Sequence, residues 1–150
     1  MSRTKEILTG AYKILENAEL CKGQFARTQG GQTMDKLHEV EWVALVRILA
    51  LLEDKGWCQG TEALTGRGIE VAPEDKNATC FCLLGAINRV CHEHPHLKQL
   101  RLVYALRAQT GERDLVRWND REGRTKDEVM ALVRRTLHAV RVLDPQTTHN

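Results

Sequence analysis

The chain has 150 residues, 42% of them hydrophobic and 28% charged, with a net charge of +2. That length suits one domain able to bury a real core without disulfide or metal staples, and the composition is that of a soluble globular protein. The overall charge balance singles out no partner. The opening "MSRTKEILTG" lacks the apolar run of a secretory signal, and the longest apolar stretch, Trp42 to Leu52, is broken by Arg47 and too short for a bilayer. A cytoplasmic protein with no membrane partner is expected. Five cysteines (Cys21, Cys58, Cys80, Cys82, Cys91) in a chain without an export signal read as free thiols.

In chain order, apolar periodicity predicts a first helix over 4–20, with Ile7, Leu8, Ala11, Leu15 and Ala18 on one stripe. A second helix is expected over 35–55. It is apolar nearly all round, which places it in the middle of a fold. Three more follow over 81–92, 95–110 (closed by Gly111) and 126–143 (stopped by Pro145), with 145–150 a disordered tail. Between helices, "CKGQFARTQGGQTM" (21–34) and "CQGTEALTGRGIEV" (58–71) carry hairpin signatures around Gly-rich turns. At an offset of 37 the two segments share Leu-Glu, Cys-x-Gly, Ala, Thr and Gly positions, which suggests a duplicated helix–hairpin–helix unit. The expected fold is therefore mainly α (α+β), a single domain over 1–144 of five helices and two short hairpins.

Charge is unevenly spread. Residues 97–143 hold eleven Lys and Arg against six Asp and Glu, whereas residues 1–96 hold eleven against thirteen. Arg117, Arg121, Arg124, Arg134 and Arg135 form a candidate basic surface, suited to nucleic acid or an acidic protein, although helix-face arginines also serve as solubilisers.

Cys82, at the expected start of the third helix, is a candidate nucleophile, since a helix N-terminus favours the thiolate. It can equally be a small buried residue, with Gly85 and Ala86 admitting another helix. Cys80, His92, His94 and His96 are the alternative metal set. Their spacing offers no C-x-x-C pair, and the three histidines share a face only if the chain there is extended, so no metal or other cofactor is expected. Gly56-Trp57 ends the second helix, and Trp57 reads as an anchor folding back on the core. Thr125 and Glu128 match a capping box. Asn119 and Asp120 lie upstream of that cap, as loop fasteners or as a ligand clamp.

Together, Gly56, Trp57 and Gly60, then Phe81, Cys82, Gly85 and Ala86, then Trp118, Asn119 and Asp120, then Thr125, Glu128 and Val129 resemble an uncharacterised family of small bacterial and phage proteins. Its pattern is G-W-x-x-G, a hairpin, W/F-C-x-x-G-A, and W/F-N-D before a T-x-x-E-V helix start. The resemblance covers about residues 45–140 and leaves 1–40 as an elaboration of this chain. In the hairpin, "GQFARTQGG" (23–31) fits the family better than "GTEALTGRG" (60–68) does. The resemblance implies no activity, substrate or cofactor, only a small cytosolic protein of a bacterium or mobile element. The expected function is a non-enzymatic binding or regulatory protein acting on another protein, carried by a phage or plasmid and modulating host machinery such as an immune system. The alternatives are a cysteine-dependent enzyme at Cys82 and a nucleic-acid-binding protein using the basic C-terminal third.

Overall fold

The run "EWVALVRILALLED" keeps apolar residues on every face, and it lies in α1 (Gly30–Asp54), the helix around which the rest is built. The computed structural model describes the backbone of residues 30–142 and the side chains of 39–140. The helix expected over 4–20, most of the first hairpin, most of the duplication and the tail at 145–150 lie outside them. Residues 30–34, the end of that first hairpin segment, belong to α1.

After α1 come β1 (Ala63–Thr65), β2 (Ala78–Phe81), α2 (Leu83–Glu93), α3 (Gln99–Thr110), the short α4 (Leu115–Asn119) and α5 (Lys126–Val142). The described fold is mainly α with one two-stranded antiparallel sheet, α+β as expected. The route to it differs. Four of the five helices correspond to expected ones, and the fifth, α4, was not expected. It is capped by Asp114, whose Oδ1 accepts from the backbone N–H groups of Val116 (2.9 Å) and Arg117 (3.2 Å), satisfying first-turn donors that would otherwise lack partners.

The second expected hairpin is present in short form, bonded from the Thr65 N–H to the Ile69 carbonyl and from the Val71 N–H to the Ala63 carbonyl. Thr65 does turn the chain, its Oγ1 accepting from Arg67 and Ile69 N–H, with Gly68 at φ +78. Yet the returning arm makes only a single bridge, Leu64 to Glu70. The paired partner of β1 is β2, in the register Ala63↔Phe81, Leu64↔Cys80, Thr65↔Ala78. Phe81 and Cys82 consequently precede α2 instead of opening it. On its other side β2 meets the chain leaving α1 through a parallel bridge between Trp57 and Phe81.

One apolar cluster runs through α1, both strands and α2–α5, including Leu45, Ile48, Leu52, Phe81, Leu83, Ile87, Leu102, Leu106, Trp118, Val129 and Leu132. At ~1.5–3 kcal/mol per fully buried large apolar side chain, this cluster dominates the stabilising terms. A smaller cluster, Val43 and Val46 with Trp42 and Leu137, lies on another side of α1. Between helices the most extensive packing is α1 on α5, then α5 on α3 and α1 on α2. Among the described residues no helix is long and apolar enough to cross a membrane.

Candidate functional site

Three pieces distant in sequence meet at one end of α2: the turn after α1, the N-terminus of α2, and the end of α4. Asn119 stands between them, 0% exposed. Its Oδ1 accepts from the Trp57 indole N–H at 2.7 Å and from the Leu83 backbone N–H at 3.0 Å. Its Nδ2 donates to the Cys58 carbonyl at 3.2 Å and to Asp120 Oδ1 at 2.8 Å. A neutral carboxamide offers two donors and two acceptor positions, so every one is used. The Leu83 N–H is among the first-turn donors of α2 that have no partner in their own helix, so Asn119 caps a helix from 36 residues away.

The rim of this arrangement is exposed and equally engaged. Asp120 Oδ1 accepts a second hydrogen bond from Gly60 N–H at 3.0 Å. Gln59 Nε2 donates to the carbonyls of Asn119 and Arg121, both at 3.0 Å. Gly60 has φ +82, which glycine adopts without strain. Trp57 is half-buried instead of a fully buried anchor, and its polar edge is what the fold uses. Gln59 was not singled out in the sequence, because a surface glutamine beside a glycine carries no local signal.

Arg124 belongs to the same construction. Its guanidinium stacks 3.9 Å from the centre of the buried Trp118 ring, its Nε donates to the Trp118 carbonyl at 2.9 Å, and its Nη1 pairs with Glu128 at 3.0 Å. This corrects two expectations. Arg124 is a packing residue, not part of a free basic surface, because the indole face attracts the guanidinium. Glu128 turns to Arg124, so only half of the capping box is made, the bond from Glu128 N–H to Thr125 Oγ1 at 3.2 Å. Arg121 is paired with Glu112 at 2.7 Å. Arg117, Arg134 and Arg135 are exposed.

Cys82 is the N-cap of α2, and its Sγ accepts from the Gly85 N–H at 3.2 Å. Burial pushes its thiol up, outweighing the Gly85 and Leu84 N–H groups that pull it down. That direction is opposite to the activation of a thiol nucleophile. Gly85 admits not a helix but a loop: a Cβ there would lie 1.9 Å from the Glu62 carbonyl oxygen. Cys58 lies near Cys80. Its thiol is pushed up to about 12, first by burial, then by the Cys80 thiol, with smaller contributions from Cys82 and Asp120. Burial raises Cys91 as well.

The metal alternative does not assemble. Cys80 precedes α2 while His92, His94 and His96 lie at or beyond its other end, and an eleven-residue helix separates them by ~16 Å. His94 and His96 rings meet edge to face at 5.9 Å. Among the described residues no group of three or more His, Cys, Asp or Glu is placed to hold a metal ion. Chemically the arrangement around Asn119 is a clasp between backbone segments: its buried polar atoms are consumed internally, and burial pushes the Cys58 and Cys82 thiols up.

One exterior feature lies outside the clasp. On α3, Leu102 and Leu106 enter the core while Leu100 (67% exposed) and Tyr104 (61%) stand one turn apart on the outside. The i, i+4 spacing was available as a signal, but Leu100 and Tyr104 lie among Leu102, Val103 and Leu106, and spacing alone does not say which apolar stripe is the buried one.

No curated protein and no solved structure matches this chain. A family model does match, over residues 43–139, a span running from the middle of α1 to near the end of α5 and enclosing the whole clasp. The chain belongs to this family of unknown function, DUF6197.

Proposed function

We propose that the protein is a non-enzymatic binding protein that engages a macromolecular partner, another protein, through the outer face of α3. The observation that carries this reading is the exposure of Leu100 and Tyr104, adjacent on a helix whose opposite face is in the core. Large apolar side chains paired on a surface favour association, because water is released when a partner covers them. The clasp supports the same reading from the other direction. The residues that resembled a motif are spent on holding segments together, and the Cys82 thiol is held away from its reactive form. The proposal extends to a cytosolic regulator from a bacterium, phage or plasmid, acting on host machinery such as an immune system. For that origin the support is the resemblance noted in the sequence.

Affinity capture from the host with the tagged wild-type chain and with the Leu100→Ser/Tyr104→Ser double variant tests the reading. Both positions are on the surface, so the variant is expected to keep the wild-type circular dichroism spectrum and lose the captured partner. Equal capture by both chains would overturn the assignment of the α3 face.

A further inference from the structure

We infer that the face of α1 carrying Val43 and Val46 is a docking surface for residues 4–20 of this same chain. Both valines are 0% exposed within a single chain. They form a cluster apart from the main core, and the described apolar side chains packed against them are Trp42 and Leu137, each only partly buried. At ~100° per residue Val43 lies ~180° around α1 from Leu52, and Val46 lies ~160° from Ala44 and Ile48. Those three residues belong to the core, so α1 buries a second side opposite its core side. Neighbouring turns of α1 flank the two valines but do not roof them. Among the described apolar side chains only Leu137 reaches them from another element, and it is itself partly exposed.

What the rest of the chain holds selects the occupant. Zero exposure is already reached inside one chain, which leaves no room on this face for a second copy or another protein. Residues 30–38 belong to α1 itself, and the last of them is ~12 Å along the axis from Val46. Residues 141–150 hold only Val142 and Leu143 as large apolar residues before Asp144 and Pro145. Residues 4–20 carry the stripe Ile7, Leu8, Ala11, Leu15 and Ala18 at helical spacing, with Glu6 and Lys13 on the other side. An amphipathic helix of this length draws its stability from the surface its stripe covers. Reach agrees with this choice. Val46 is ~24 Å along the axis from Gly30, and residues 21–29 span at most ~30 Å when extended. The stripe can therefore turn back along α1 and cover both valines. The family match begins at residue 43, so the face lies inside the shared domain and its cover outside it.

Methyl NOE spectroscopy on the full chain, labelled at Ile, Leu and Val methyls, tests this. Cross-peaks are expected from the Val43 and Val46 methyls to those of Ile7, Leu8 or Leu15. Cross-peaks to Val142 or Leu143 in their place would assign the cover to the other end of the chain and overturn the inference. Cross-peaks that appear only between differently labelled chains in a mixed sample would replace it with self-association. No cross-peak to residues 4–20 at all also overturns it. Two full-length double variants give a second readout in urea. Leu8→Ser/Leu15→Ser removes two members of the stripe and is expected to lower the midpoint by ~1 M or more. Glu6→Ser/Lys13→Ser, on the other side of the same segment, is expected to leave the midpoint at the wild-type value. Equal midpoints for the two variants would overturn the inference. The reading of the α3 face is independent of this one, and capture of a host partner through Leu100 and Tyr104 tests it separately.

Discussion

The Trp57 indole N–H donates to Asn119 Oδ1 at 2.7 Å, joining residues 62 apart in sequence at the point where α1 hands the chain to the sheet. The same oxygen also accepts from Leu83. Trp57→Phe therefore removes one donor without leaving the acceptor empty. The expected cost is ~1–2 kcal/mol, one modest hydrogen bond and part of an indole contact. Urea denaturation followed by circular dichroism measures it. A loss above about 4 kcal/mol would mean that the indole body, not its N–H, is the larger contribution.

Gly85 predicts a sharper contrast. A Cβ at this position meets the Glu62 carbonyl oxygen at 1.9 Å, and that backbone also accepts from Cys82 N–H at 3.0 Å. Neither side can yield without breaking the bond between the loop and the start of α2. Gly85→Ala is expected to cost ~3 kcal/mol or more. Gly66→Ala is the control. Its Cβ would meet only Thr79 Oγ1, at 4.0 Å, and a change within ~0.5 kcal/mol is expected. Equal urea midpoints for the two variants would contradict the close approach.

The thiols predict a pH dependence. Folding raises Cys58 from its ordinary 9.0 to about 12. Above about pH 9 the unfolded chain gives up a proton that the folded chain keeps, so stability is intact below that pH and falls as pH rises toward 12. The urea midpoint is expected to drop between about pH 8 and pH 10. Cys58→Ser should reduce the drop without abolishing it, since Cys82 and Cys91 are raised too. An identical drop in the variant would show that Cys58 does not contribute.

Where helices are long and their ends carry caps, sequence reading reached the structure closely. Thr125 accepts from Glu128 N–H at the start of α5, and Gly111 closes α3 at φ +75. It failed where the deciding interaction is distant. Phe81 continues the apolar spacing of Leu83 and Leu84, so it looked like the first residue of a helix. Pairing with Ala63 on one side and with Trp57 on the other makes it a strand. The five residues of α4 are too few for a period to show. Arg124 was counted as surface charge because composition records a cation and not the indole beneath it. The expected hairpin kept its turn at Thr65 and a short returning arm, bonded from the Thr65 N–H to the Ile69 carbonyl at 2.8 Å and from the Val71 N–H to the Ala63 carbonyl at 3.1 Å, while β2, distant in sequence, pairs along the other edge of β1.

Asn119 fastens the fold by joining three backbone segments. Asn119→Ala leaves the Leu83 and Trp57 N–H groups and the Cys58 carbonyl without the partner described above. The Leu83 N–H is buried and the other two groups are partly buried; a buried unsatisfied group costs ~1–3 kcal/mol, so a loss of ~2 kcal/mol or more is expected, a large share of the ~5–15 kcal/mol that holds a domain together. The urea midpoint of this variant against wild type is the most direct measurement. A clear fall is expected, with partner capture declining only as far as the chain unfolds. A midpoint unchanged or raised, with capture lost, would contradict it and make the Asn119 loop a ligand site.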